Sequence, residues 1–313
     1  MTDIKILLTD GLNENGQAIL RAAGEVDDRP DITAEDLLKV VGKYDAMIVR
    51  GRTKVTAAVF EAAVSLKVVG RAGVGVDNID LTAAKAHGVT LVNAPLSTSR
   101  AVAELTLALM LSLARSVPRA DATMKAGQWI KKQLEGVELC GKTIGIIGLG
   151  NIGTMVLQCS AAMGMRGIAY DPWIPDEEIR RRGAEPVSLP ELYAQSDFIS
   201  LHIPLTPDTK GLICQQALSQ MKHGMRLICA ARGGVIDEEA LLEALNSGQV
   251  AGAALDVFFK EPPGATTLIS HPNVIATPHI GAQTEEAQAR ASADIASEVL
   301  AALRGEVLRW RIV

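Results

Sequence analysis

Short apolar runs recur along this chain, each followed by a stretch with helical spacing, and no other feature restricts its fold as much. "IKILLT" (residues 4–9), "AMIVR" (46–50), "LKVVG" (66–70) and "VTLVN" (89–93) are near-continuous apolar runs, the pattern of strands buried on both faces. Between them lie patterns such as "TAEDLLKVV" (33–41), with helical periodicity. Strand, helix, strand in that rhythm predicts parallel sheet, because a parallel neighbour is reached only through a crossover, usually a helix.

The rhythm breaks once. "SRAVAELTLALMLSLARSV" (99–117) predicts one long buried helix, after which a second strand series begins. Its members are "TIGIIG" (143–148), "GIAYD" (167–171), "DFISLH" (197–202), "MRLICAA" (225–231), "AGAALDV" (251–257) and "NVIAT" (273–277). Six strands with intervening helices predict a doubly wound sheet. The last segment, 284–305, predicts a helix ending at a glycine. At 313 residues the chain has room for two cores.

Composition removes several function classes. Hydrophobic residues make up 48%, too many for extended disorder. Net charge is −5 with no block of like charge, and aromatics are 3%, which argues against a nucleic-acid partner. The longest apolar run, 105–114, is too short to span a bilayer, so no membrane partner is expected. "MTDIKILLTDG" reads as a first strand and not as a signal peptide, and Cys140, Cys159, Cys214 and Cys229 form no C-x-x-C; both point to a reduced, cytoplasmic chain. The histidines at 87, 202, 223, 271 and 279 show no metal-ligand spacing.

Two glycine motifs lie almost end to end. "GVELCGKT" (136–143) matches G-x-x-x-x-G-K-[ST], but it precedes a predicted strand, whereas a phosphate loop follows a strand and opens a helix. "GLGNIG" (148–153) has that context. Gly148 permits a tight turn, Gly150 lets backbone approach a pyrophosphate, and Gly153 allows close helix–strand packing. Asp171 ends the next strand, where a carboxylate accepts ribose hydroxyls and repels a 2′-phosphate; Pro172 and Trp173 follow it, not arginine. NAD is the expected cofactor.

An enzyme that interconverts alcohol and carbonyl also needs a proton acid/base and a cation for the substrate carboxylate. Three residues after late strands supply them. Arg232 in "AARGGVID" offers a bidentate guanidinium. Glu261 in "DVFFKEPP" and His279 in "TPHIGAQT" make an acid/base pair if they meet, since the carboxylate would fix the imidazole tautomer and raise its pKa. Asp256 is expected beside the cofactor, without an assigned role.

"GLGNIG", "ARGGVIDEEAL", "ALDVFFKEPP" and "TPHIGAQTEEAQ", in this order, resemble the signatures of the D-isomer-specific 2-hydroxyacid dehydrogenases, and "VGRAGVGVDNIDLTAAKAHGVTLVNAP" (69–95) is similar to their N-terminal region. The resemblance implies an α/β chain of two doubly wound parallel-sheet domains. A Rossmann NAD domain (99–284) would be inserted into a flavodoxin-like substrate domain (1–98 and 285–313). Arg232, Glu261 and His279 would be the catalytic set, and Gly148, Gly150, Asn151, Ile152, Gly153, Asp171, Ala230 and Asp256 the cofactor set. It implies a small anionic 2-hydroxy acid as substrate and a homodimer or dimer-based tetramer.

"IVRGRTKVT" (48–56) and "VGRAGVGVDN" (69–78) are most like the members that act on a phosphorylated acid. Arg50 and Arg71 would then face the phosphate. Asn78 or the backbone at Val74 and Gly75 would hold the carboxylate, and Lys131 in "GQWIKK" stands where relatives can carry an arginine. No C-terminal regulatory domain is expected. Reductases of hydroxypyruvate, glyoxylate or other polar keto acids, and NAD-sensing corepressors, are the alternatives the resemblance leaves open.

Overall fold

The apolar runs form two parallel sheets in the computed structural model, which describes residues 4–313. One compact unit holds the described residues up to Ser99 together with Ala282–Val313; the other is Arg100–Gly281.

In the first unit the strands are β1 (Lys5–Leu8), β2 (Glu25–Asp28), β3 (Ala46–Val49), β4 (Val68–Arg71) and β5 (Thr90–Asn93), in the order β2-β1-β3-β4-β5. This is the flavodoxin-like order. Alternation along β1 sends Leu7 to one face, with Met47, Val69 and Leu91, and Ile6 and Leu8 to the other. Each such fully buried aliphatic side chain contributes about 1.5–3 kcal/mol. The sequence reading missed β2. Its residues, "EVDD", lack an apolar run because it is an edge strand with no fully buried position, held by its register with β1.

The second face of this sheet is covered by the helix Glu285–Arg304, through Ile295, Ala296, Val299 and Leu300. Thr284 caps its start by accepting the Ala287 amide, and Gly305 ends it in the left-handed conformation, as the glycine signal implies.

The second unit contains β6 (Thr143–Ile147), β7 (Arg166–Tyr170), β8 (Glu185–Pro186), β9 (Phe198–Leu201), β10 (Met225–Cys229), β11 (Val250–Leu255) and β12 (Val274–Ala276). Their order is β12-β11-β10-β9-β6-β7-β8. Six of these strands match the predicted runs; β8, two residues long, carries no pattern of its own. The winding direction reverses between β6 and β9, and that switch point is where open α/β sheets bind ligands. The fold class read from the sequence is borne out.

The long helix is shorter than predicted. It spans Ser99–Arg115, Ser116 turns left-handed at φ 51°, and a second helix, Val117–Lys125, departs at 67°. Among the described residues no single helix is long and apolar enough to cross a membrane.

Candidate active site

The glycine loop leaves β6 at the switch point. Gly148 has φ 90°, and a Cβ there would stand 2.7 Å from the His202 carbonyl oxygen and from Ile203 Cγ2. A Cβ on Gly153 would run into the Gly148 carbonyl, while one on Gly150 would meet nothing within 4 Å. The loop is thus tight on its inner side and open at Gly150. The helix it opens, Asn151–Ala162, has no side-chain cap, so the first-turn amides of Asn151, Ile152 and Gly153 have no side-chain acceptor. Uncapped amides at a helix N-terminus suit a phosphate.

Asp171 ties this loop to the end of β7. One carboxylate oxygen accepts the Leu149 amide at 2.9 Å and the other the Trp173 amide at 3.0 Å. A carboxylate has about four acceptor sites, so both oxygens keep capacity for ribose hydroxyls. These residues fit a dinucleotide. The decoy motif does not fit a phosphate: "GKT" runs into β6, not into a helix.

His279 and Glu261 meet. Nδ1 of His279 lies 2.8 Å from Glu261 Oε2, and Glu261 Oε1 accepts the Phe258 amide at 3.1 Å. With a carboxylate facing Nδ1, the neutral imidazole carries its proton there and leaves Nε2 free to exchange one. The Glu261 hydrogen bond raises the His279 pKa against the opposing effect of burial; the charges of Glu261 and Asp256 add to the rise and that of Arg232 reduces it. For Glu261, burial pushes upward, but the His279 bond, the Phe258 amide and the charges of His279 and Arg232 bring the net direction down. The pair is therefore a carboxylate beside an imidazole with strengthened basicity. His279 is half exposed, open to a reactant.

Arg232 follows β10, just past Ala230, and its Nη1 donates to the Ala231 carbonyl at 2.7 Å. Its charge reaches both His279 and Glu261. The adjacent glycine explains how: a Cβ on Gly233 would collide with the Phe258 carbonyl and sit 2.8 Å from the Phe259 amide nitrogen. The Arg232 loop and the Glu261 loop are backbone against backbone. Glu238, at the start of the next helix, accepts the Phe259 amide at 2.6 Å. Sequence reasoning missed that brace, because an acid after Asp237 reads only as a helix start.

Asp256 is fully buried at the end of β11 and holds the loop that carries His279. Its oxygens accept the Thr277 hydroxyl at 2.6 Å, the Ile280 amide at 2.9 Å and the Gly281 amide at 2.8 Å. These groups flank His279, whose φ is 53°.

The first unit places the other expected residues apart from Lys131, which lies in the second. Asp10, missed in the sequence, accepts the Arg50 amide at 2.7 Å and the Thr53 hydroxyl at 2.5 Å, and Asn78 Nδ2 donates to the Arg50 and Thr53 carbonyls. The Arg50–Thr53 turn is therefore fixed, with Arg50 Nη2 3.4 Å from Gln283. Asn78 spends its amide on that turn. The Arg71 guanidinium lies where a side chain at Gly73 would stand. The Val74 carbonyl accepts Asn93 Nδ2 at 2.7 Å, and Gly75 is partly buried. Lys131 is exposed on the 3-10 turn Lys131–Gln133.

Residues 107–281 match the family described as D-isomer specific 2-hydroxyacid dehydrogenase, NAD binding domain. A D-3-phosphoglycerate dehydrogenase 2, chloroplastic, of Arabidopsis thaliana is 50% identical over 305 residues, covering 97% of this chain and 49% of its own length. A D-3-phosphoglycerate dehydrogenase of Methanocaldococcus jannaschii is 49% identical over 97% of this chain and 58% of its own. The chain thus spans 49% to 58% of the length of these relatives. Among solved structures, a D-lactate dehydrogenase from Aquifex aeolicus, complexed with NAD and lactic acid, superimposes with a TM-score of 0.84 at 30% identity, covering 96% of each chain. NAD is the cofactor that the glycine loop, Asp171 and the matched domain agree on. With that loop and the family match on one unit, the chain belongs to the D-isomer-specific 2-hydroxyacid dehydrogenases.

Proposed function

We propose that the chain oxidises D-3-phosphoglycerate to 3-phosphohydroxypyruvate, the entry to serine synthesis, with NAD as oxidant and His279 as acid/base. The observation that carries the chemistry is the 2.8 Å bond between His279 Nδ1 and Glu261 with Arg232 close to both. Likeness to the phosphoglycerate enzymes, at 49–50% identity, supports the substrate.

Bound NAD supplies the hydride acceptor. The chain's own residues do the rest. Arg232 holds the substrate carboxylate with two parallel hydrogen bonds and sets the reacting carbon. Neutral His279 takes the hydroxyl proton on Nε2, and Glu261 stabilises the imidazolium that forms. In the reverse direction the imidazolium returns the proton to the ketone oxygen. Asp256 keeps the imidazole in place through the loop amides. Arg50 and Arg71 take the phosphate dianion, which a guanidinium binds better than any neutral group does. The protomers pair through the NAD-binding unit, which exposes Val117, Met124 and Trp129 within a short span.

The test measures NADH formation from D-3-phosphoglycerate at mildly alkaline pH with a product trap, beside NADH consumption with hydroxypyruvate and glyoxylate. Strong turnover of the phosphorylated acid is expected. Arg50→Ala should raise KM for it far more than KM for glyoxylate. No turnover of phosphoglycerate with brisk keto-acid reduction would leave His279 its role and move the substrate to an unphosphorylated acid, as in the lactate enzyme.

A further inference from the structure

The mechanism leaves the arginine run 180–182 unused. Arg180 and Arg181 are solvated, with side chains 60% and 75% exposed, and pair with acids of their own helix, Asp176–Arg181. Arg182 turns inward. Its Nε donates to Glu178 Oε1 at 2.7 Å, and its Nη1 donates to the backbone carbonyl of Leu149 at 2.5 Å. Leu149 is the second residue of the glycine loop, 33 positions away. The Leu149 side chain is fully buried in the core that also takes Ile179, so helix and loop share one core beneath this bond.

The bond matters because of what lies across the peptide. The Leu149 carbonyl and the Gly150 amide belong to one trans peptide unit, whose C=O and N–H point in opposite directions. Arg182, with Thr154 Oγ1 at 3.1 Å from the same carbonyl, therefore sets where the Gly150 N–H points. That N–H has no acceptor among the described residues, and Gly150 is the open member of the loop, where a Cβ would meet nothing within 4 Å. The Leu149 amide is held as well, by Asp171 at 2.9 Å. Both peptide units of Leu149 are thus fastened. The guanidinium is the firmer hold on the carbonyl, since a charge-assisted bond is roughly twice as strong as a neutral one.

We propose that Arg182, locked by Glu178, is a positioning residue for the cofactor: it holds the Leu149–Gly150 peptide so that the Gly150 amide is presented to the pyrophosphate of the bound dinucleotide. It acts through the backbone. The inference rests on the NAD reading and adds a residue to it. Without the guanidinium the peptide is free to rotate, and the apparent affinity falls with the fraction of molecules that keep the competent orientation.

The experiment titrates NADH by fluorescence, displaces it with ADP and with adenosine, and follows thermal unfolding without cofactor. The proteins are the wild type, Arg182→Met and Arg180→Met. Arg180→Met removes the same charge from the same stretch of chain, but its arginine pairs with Asp176 and not with the loop. In Arg182→Met the Kd of NADH and of ADP should each rise about tenfold, while that of adenosine, which has no phosphate, stays within about twofold. Arg180→Met should match the wild type with all three. Unchanged NADH and ADP affinity in Arg182→Met would overturn the inference, and a lower Tm beside it would mark a purely structural residue. An equal loss for adenosine would also overturn it, since the whole adenosine site would then have shifted. So would an equal loss in Arg180→Met, which would reduce the effect to net charge. A wild type that binds no NADH would remove the cofactor reading and the inference with it.

Discussion

His279 holds a backbone conformation that costs a non-glycine residue about 1–2 kcal/mol, and Asp256 is what holds it there. A buried carboxylate that takes the amides of Ile280 and Gly281 over-determines the turn, leaving the imidazole one direction to point. Glu261 then sets the proton inventory. Oxidation needs neutral His279, so its rate should rise with pH through a midpoint above the ordinary histidine value, because Glu261 raises that pKa. Reduction should fall through the same range. Glu261→Gln keeps an acceptor for Nδ1 but removes the charge, and should move the oxidation midpoint to lower pH; an unmoved midpoint in the kcat/KM profile would refute the pairing. His279→Ala should lose about 10²–10⁴-fold in kcat. At this scale the sequence pointed to Arg232, Glu261 and His279 as candidates, because each follows a strand and sits among glycines or prolines, and the structure brings Glu261 and His279 into hydrogen-bond contact. It could not show what holds them. Asp256 acts on groups 21 to 25 residues away, and Asp10 acts on Arg50 from 40.

Two loops act as one element. Gly233 has no room for a side chain beneath the Phe258 carbonyl, and Glu238 fastens the Phe259 amide from the other side. Gly233→Ala must push the Arg232 and Glu261 loops apart. A misplacement near 1 Å costs about a hundredfold, so kcat should fall by that order while NADH affinity is kept. Unchanged kcat would show that the loops are independent. Elements were legible wherever burial wrote an apolar run, as in β3, "AMIV", buried at every position. They were illegible where pairing alone makes the strand: β2 is three acids and a valine, and β8 is Glu185–Pro186. The break at Ser116 is written in the sequence by Pro118, which cannot continue a helix but suits the first turn of a new one; what the sequence does not show is the helix that follows, Val117–Lys125.

The chain builds one unit inside another. The described residues up to Ser99 form a sheet whose second face is covered by Leu12 and Leu20 of the same stretch and by the helix Glu285–Arg304, whereas Arg100–Gly281 holds its sheet, both its cores and the His279 loop within one stretch. Expressed alone, residues 100–281 should melt cooperatively and bind NADH. Residues 1–99 alone should not melt cooperatively, because Ile6, Leu8, Ile48 and Val68 lose Ile295 and Val299 as partners. Circular dichroism against temperature decides it, and a sharp transition in the shorter piece would contradict the packing argument.

That arrangement has a consequence in time. The ribosome finishes the first sheet before it makes Arg100–Gly281, and makes the helix Glu285–Arg304 only after it. At ordinary elongation rates the wait is roughly ten to forty seconds. For that interval Ile6, Leu8, Ile48 and Val68 lack Ile295 and Val299 as partners, so part of one apolar face of the nascent chain stays open to solvent until the helix arrives.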